Sequence, residues 1–261
     1  MIRALLFDLD GTVYRGREAV PGAIPFIAGL ADRGVRHLYV TNRSNRTQQR
    51  VCDQLRGYGI ACEPEEVLTS AEATAEWIGS GSAYCIGEIG LTQALERRGV
   101  TLVDTPDEAE LPPPPDYVVV GLDRGLTYRK LEVAGRWILA GATFVGTNPD
   151  VALNSDYGVS PGAGSVQVAL QAMTGVAPTV IGKPEAAMIE IALEHLDLPP
   201  GDVVMVGDNL ETDIRGGIRA GLRTALVLEG ISTRQDVERS DLEPTWIAES
   251  FDELSALLFS D

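Results

Sequence analysis

The sequence predicts an α/β fold built on a doubly wound parallel sheet, and three observations carry that expectation. Residues 2–9 and 203–206 are apolar runs of strand length without alternation, as strands covered on both faces read. Helix-period segments lie between such runs, the alternation that parallel strands need for their crossovers. Several runs stop abruptly on small or charged side chains, and in an open α/β sheet ligands bind at the carboxyl ends of the strands.

The first strand, residues 2–9, breaks at the glycine of Asp8-Leu9-Asp10-Gly11-Thr12, and strand alternation sets Asp8 and Asp10 on one side. A loop with Pro21 leads to an amphipathic helix carrying Ile24, Ile27 and Leu30, closed by Gly34. Residues 35–40 form a second strand that stops at Thr41-Asn42-Arg43-Ser44, just before a helix over 48–58. Hydroxyl and amide groups there suit an anion at a helix N-terminus, or a cap by Ser44 or Asn45. A short strand at 67–68 and a helix from Ala71 follow. Gly79-Ser80-Gly81-Ser82 has the composition of a linker, and a fresh α/β run begins after it.

That run reads as strand 83–86, helix 91–98 and strand 100–103, then strand 117–121, helix 128–140 and strand 143–146. The acidic loop 104–116, with prolines at 112–115, reads as a stiff connection. Residues 147–162 read as irregular. Gly162-Ala163-Gly164 lacks the rest of a GxGxxG element and reads as a helix start and hinge before a helix over 165–174. A strand at 180–181 precedes Gly182-Lys183-Pro184 and a helix over 186–196. Strand 203–206 ends at Gly207-Asp208-Asn209-Leu210-Glu211-Thr212-Asp213, and helix 214–220, strand 223–227 and a helix after Ser250 complete the pattern.

Composition bounds the function. The chain has 261 residues, suited to two modest domains or one large one, and its 44% hydrophobic content supplies a core. No stretch of about 18 apolar residues occurs, so no membrane span is expected. Met1 leads directly into a strand without a basic leader or cleavage site, which points to the cytoplasm. Cys52, Cys62 and Cys85 lack CxxC spacing and are expected as reduced, partly buried thiols. A net charge of −17 repels nucleic acid and anionic lipid, so neither is an expected partner. Of the 21 basic residues only Lys130 and Lys183 are lysine, which draws attention to Lys183. His37 and His195 have no partner motif and read as structural.

Two carboxylates two residues apart repel each other and become useful when a hard cation sits between them or one stays protonated. A calcium loop of the EF-hand kind needs a glutamate at its twelfth position; counted from Asp8, that position is Ala19. Strand ends at Asp8 and Asp10, at Thr41 and Asn42, before Lys183, and at Asp208 and Asp213 together offer carboxylates, one cation and a hydroxyl–amide pair. Such an inventory fits magnesium-dependent phosphoryl transfer, with carboxylates for the ion and cation and hydroxyl for the phosphate oxygens.

On these residues the sequence resembles the haloacid dehalogenase (HAD) superfamily of phosphatases. Asp8-Leu9-Asp10-Gly11-Thr12 matches the family's first motif, Thr41 its second, Lys183 its third, and Gly207-Asp208 with Asp213 its fourth. The resemblance runs from Ile2 to about Leu228 and is close to the large-cap subgroup of sugar, nucleotide and 4-nitrophenyl phosphatases. It implies a Rossmann-like core at 1–79 and 179–261, with an inserted α/β cap at 80–178 that sets substrate specificity. Gly121-Leu122-Asp123-Arg124, Thr147-Asn148-Pro149-Asp150 and Pro161-Gly162-Ala163-Gly164-Ser165 look like that subgroup's cap, whereas Arg43 departs from its usual Thr-Asn-Asn-Ser run.

The resemblance also implies roles. Asp8 is the nucleophile, forming an aspartyl-phosphate, and Asp10 the acid and base; Mg²⁺ is held by Asp8, the Asp10 carbonyl and Asp208. Asp213 either supports the ion or stabilises the helix at Ile214, and Asn42 either joins Thr41 at the phosphoryl oxygens or is a turn residue. Lys183 offsets the charge of Asp8 and phosphate. The implied substrates are small phosphorylated metabolites. A phosphotransferase or mutase on the same fold is a neighbouring reading, and a phosphometabolite-binding protein without turnover a more distant one. An exposed cap face leaves a homodimer open.

Overall fold

The computed structural model describes residues 1–107, 110–155 and 158–259. Positions 108–109 of the acidic loop and 156–157 of the segment expected to be irregular lie outside the described residues. The chain divides into two compact units: Met1–Thr41, Gln48–Leu68 and Lys183–Asp261 form one, and Asn42–Thr47 with Thr69–Gly182 form the other.

The first unit is organised by a six-stranded sheet whose order across the sheet is Trp246–Ala248, Arg223–Val227, Val203–Gly207, Ala4–Phe7, Arg36–Thr41 and Val67–Thr69. The strands from Trp246–Ala248 through Arg36–Thr41 pair in parallel. Ala4–Phe7 is central and buried at all four positions, which is why its sequence does not alternate. From it the chain winds first towards Arg36–Thr41 and later towards Val203–Gly207, so strand order reverses at Ala4–Phe7 and a ligand crevice is expected beside its carboxyl end. Phe7 pairs with Val206 on one side and Tyr39 on the other, which brings Asp8, Gly207 and Val40 to the same level. Leu5, Phe7, Tyr39, Val204, Val206 and Phe251 share one core on a single face of this sheet.

The second unit has a five-stranded parallel sheet in the order Thr179–Val180, Thr143–Gly146, Tyr117–Val120, Gly81–Ile86, Val100–Val103. The edge-to-face pair Tyr84 and Trp137, 4.9 Å apart, anchors its core. The Trp137 indole N–H donates to the carbonyl of Pro112 at 3.1 Å, so the proline loop closes the polar end of that ring.

Several expectations change. Gly79-Ser80-Gly81-Ser82 is a tight helix-to-strand reversal, not a linker: Gly79 closes helix Ser70–Ile78 at φ +73°, and strand Gly81–Ile86 begins two residues later. Ser82 donates from its N–H and its hydroxyl to Asp116, both at 2.7 Å, fixing the strand's start. Ala152–Ser155 pairs antiparallel with Gly158–Pro161, where irregular chain was expected. Cys52 and Cys62 are paired as a disulfide with Cα atoms 5.3 Å apart, because the chain reverses after helix Gln48–Gly57; only Cys85 is a free thiol. His37 packs edge-on to Tyr39, its ring centre 5.1 Å away. No helix among the described residues is long and apolar enough to cross a membrane.

Truncating the central strand tests this packing. Leu5→Ala should cost about 2–5 kcal/mol of unfolding free energy, read as a lower urea midpoint at unchanged slope; a cost below about 1 kcal/mol would contradict the burial of Leu5.

Candidate active site

At the strand-order reversal three carboxylates and one ammonium are buried together. Asp8 follows strand Ala4–Phe7 directly, and its N–H donates to the Val206 carbonyl at 2.9 Å, extending the ladder by one residue. Asp208 follows strand Val203–Gly207, and Asp213 sits in the π-helical turn Leu210–Ile214. One carboxylate oxygen from each of the three lies within 4.8 Å of the others. The Lys183 ammonium donates to Asp8 Oδ1 at 2.6 Å, to Asp213 Oδ1 at 2.8 Å and to the Val40 carbonyl at 3.0 Å. That last bond ties it to the peptide next to Thr41, which ends its strand and is itself buried. Lys183 is 1% exposed, so a long flexible side chain has been fixed at a single place.

The route of Lys183 into the site differs from expectation. The strand before it, Thr179–Val180, belongs to the five-stranded sheet and not to the sheet that carries Asp8. Asp8, Asp10, Thr41, Lys183, Asp208 and Asp213 all belong to the first unit, and Asn42 begins the second. The Asn42 amide donates to the Asp150 carboxylate at 3.3 Å. Asp8 and Asp10 differ in environment: Asp8 is buried, whereas Asp10 is exposed and accepts from the Tyr14 hydroxyl at 3.4 Å.

Supporting residues that sequence reasoning did not single out hold Asp208. Thr12, the last residue of the first motif, donates its hydroxyl to Asp208 Oδ1 at 3.0 Å. The Ile231 N–H donates to Oδ2 at 2.7 Å, and the Ser232 N–H to the Asp208 carbonyl at 3.0 Å. Thr12 was open to recognition by its motif. Ile231 and Ser232 act through backbone and carry no side-chain signal.

Burial drives the electrostatics. Burial pushes the Asp8 carboxyl up; Lys183 opposes that, while Asp213 and Asp208 push it further up. For Asp208, burial first and then Asp213 raise the carboxyl to about 6, against the Ile231 and Thr12 hydrogen bonds and Lys183. Burial works to lower Lys183, but Asp213 and Asp8 outweigh it and hold the ammonium above its usual range. Three carboxylates against one ammonium leave the ionised cluster with excess negative charge, and a hard divalent cation is the counter-charge that oxygen-only donors of this kind accept.

A doubly wound sheet with buried carboxylates and a lysine at its switch point delimits a class of phosphoryl-handling α/β enzymes, and comparison with known proteins sharpens it. Residues 5–101 match the family model described as haloacid dehalogenase-like hydrolase, and residues 180–254 a second HAD hydrolase-like model. The chain is 42% identical over 260 residues to an acid sugar phosphatase of Staphylococcus aureus, covering 98% of each. Among solved structures it resembles a thermostable NPPase of Geobacillus stearothermophilus, a double mutant, with TM-score 0.88, 38% identity and 97% coverage of both chains. It also resembles NagD of E. coli K-12, with TM-score 0.88, 32% identity, and 97% and 98% coverage. The chain belongs to the haloacid dehalogenase-like hydrolases, and within them to the NagD-like branch.

The raised Asp208 carboxyl gives a signed expectation. A carboxyl raised in the fold binds its proton more tightly there than in the unfolded chain, so stability is lost as pH rises from about 4 through about 6. In EDTA, Asp208→Asn, whose Oδ1 can face Ile231 and whose Nδ2 can face the Thr12 hydroxyl, should be more stable than wild type at pH 7 by on the order of 1–3 kcal/mol. That advantage should vanish near pH 4; a pH-independent difference in denaturation midpoint would contradict the burial effect.

Proposed function

We propose that this protein is a magnesium-dependent phosphomonoester hydrolase acting on small phosphorylated metabolites, sugar phosphates foremost, through an aspartyl-phosphate on Asp8. One observation carries the reading: the Asp8 carboxylate lies at the end of the central strand, ion-paired to a buried lysine and within reach of two further buried carboxylates. The names of the relatives, acid sugar phosphatase and NPPase, support the substrate class.

In this reading Asp8, Asp208 and the Asp10 carbonyl hold Mg²⁺, with Asp213 in support; the ion supplies charge neutralisation for the phosphoryl oxygens. An Asp8 carboxylate oxygen attacks phosphorus and the bond from phosphorus to the leaving oxygen breaks. Asp10, beside the Tyr14 hydroxyl, serves in this reading as the acid that gives a proton to that oxygen. It then takes a proton from water, whose oxygen attacks phosphorus, releasing phosphate and restoring Asp8. Lys183 restrains Asp8 and offsets charge as a point cation. Thr41 and Asn42 supply the hydroxyl–amide pair at the phosphoryl oxygens. The inserted α/β segment, residues 80–178, serves as the cap that selects the leaving group.

With 4-nitrophenyl phosphate and Mg²⁺, wild type should release phosphate without an added acceptor, and Asp8→Asn should lose at least about a thousandfold in kcat. EDTA should abolish turnover and Mg²⁺ restore it. Equal hydrolysis by wild type, variant and chelated enzyme would refute the reading, and product formed only with an added alcohol would make the protein a phosphotransferase.

Metal binding should follow the same carboxylates. Because protons compete for Asp208, Mg²⁺ affinity measured by calorimetry should fall at least about fivefold between pH 7.5 and pH 5.5. Unchanged affinity over that range would show that the ion is held elsewhere.

A further inference from the structure

The Thr147-Asn148-Pro149-Asp150 loop takes no part in the chemistry described above, yet it grips both chain segments that lead to Thr41 and Lys183. Asn42 and Gly182 belong to the second unit; Asn42, itself assigned to the phosphoryl oxygens, adjoins Thr41, and Gly182 adjoins Lys183. The Asn148 amide donates to the Asn42 carbonyl at 2.7 Å, and the Ser70 hydroxyl donates to the same carbonyl at 2.7 Å. On the other segment, the Gly182 N–H donates to the Thr147 carbonyl at 2.9 Å. Gly182 has to be glycine for that approach: a Cβ there would lie 2.5 Å from the Thr147 carbonyl oxygen and 2.7 Å from Asn42 Oδ1. One loop thus fixes the two segments against each other.

The loop is itself braced. Asn148 Oδ1 accepts from the Asp150 N–H at 3.2 Å, the Asn148 carbonyl accepts from Gln167 Nε2 at 2.8 Å, and the Asp150 carbonyl accepts from the Gly164 N–H at 2.9 Å. Asn148 and Gln167 are 4% and 3% exposed, so these bonds are not readily exchanged for water. Both donors of the Asn148 side chain are engaged within the protein: its two amide hydrogens serve the Asn42 carbonyl and Thr147 Oγ1, the latter at 3.3 Å, while its oxygen accepts from Asp150. Such a residue acts through its neighbours and not on substrate.

We infer that Asn148 is a positioning residue. By holding Asn42, while Thr147 holds Gly182, it sets where Thr41 and Lys183 meet the phosphoryl group. Adjacent Cα atoms across a trans peptide are about 3.8 Å apart, so a displaced Asn42 or Gly182 moves its neighbour with it. The inference rests on the phosphatase reading and assigns the 147–150 loop a task within it: fixing the residues that adjoin Thr41 and Lys183 in the chain.

The test compares wild type, Asn148→Ala and Asn148→Asp with 4-nitrophenyl phosphate and Mg²⁺, alongside inhibition by inorganic phosphate and thermal midpoints. Asn148→Ala, folded at the assay temperature, should lose about ten- to hundredfold in kcat, with phosphate inhibition weakened in parallel. Asn148→Asp cannot donate to the Asn42 carbonyl when ionised but can when protonated, so its activity relative to wild type should rise as pH falls from about 8 to about 5. Folded variants with wild-type kcat and phosphate inhibition, losses that merely track the unfolded fraction, or a pH-independent ratio for Asn148→Asp would overturn the positioning role while leaving the phosphatase reading intact. A wild type without turnover would overturn both.

Discussion

The Lys183 ammonium, wedged between Asp8 and Asp213, is the interaction on which the rest of this structure depends. Buried carboxylates cannot share so small a volume on their own, because each loses its hydration and repels the others. Lysine supplies one positive charge and three donors, and all three are engaged, by Asp8, Asp213 and the Val40 carbonyl. Breaking such a buried set by removing one member typically costs about 3–5 kcal/mol, since the remaining charges stay buried without compensation. The same pairing leaves the cluster negative, an imbalance that a hard divalent cation could offset.

The topology explains how residues so far apart in sequence arrive there. The central strand delivers Asp8, its neighbours deliver Thr41 and Asp208, and the π-helical turn after Val203–Gly207 carries Asp213 to Lys183. Thr12, from the opposite end of the chain, and the nearby backbone at Ile231 and Ser232 fix Asp208. Each side chain is therefore held by an element whose own burial is satisfied, which is how precise positions are obtained from flexible residues.

Much of this was legible in the sequence, for identifiable reasons. Strands Ala4–Phe7 and Val203–Gly207 are covered on both faces, so their uninterrupted apolar runs declare them. Asp8, Asp208, Asp213 and Lys183 stand at or just after the ends of apolar runs, and the structure brings their side chains together. What escaped has physical causes too. Gly79-Ser80-Gly81-Ser82 looked like a linker because the small residues a tight reversal demands are also those of flexible chain. The strands Ala152–Ser155, Gly158–Pro161 and Trp246–Ala248 are short and carry little periodicity. Helix Arg234–Arg239 has a capping box from Thr233 and Asp236 that local sequence could have shown, but no apolar stripe follows it. The disulfide between Cys52 and Cys62 and the delivery of Lys183 from the second sheet are matters of tertiary proximity, which no local pattern encodes.

The central claim is that Asp8 receives the phosphoryl group beside a cation held by Asp208. A crystal structure of the wild-type protein grown with magnesium and beryllium trifluoride, a mimic of a carboxylate-bound phosphoryl group, tests it most directly. The account predicts beryllium bonded to an Asp8 carboxylate oxygen, with Lys183 and Thr41 on its fluorides and magnesium on Asp8 and Asp208. Beryllium on any other side chain, or magnesium seated away from Asp208, would contradict it.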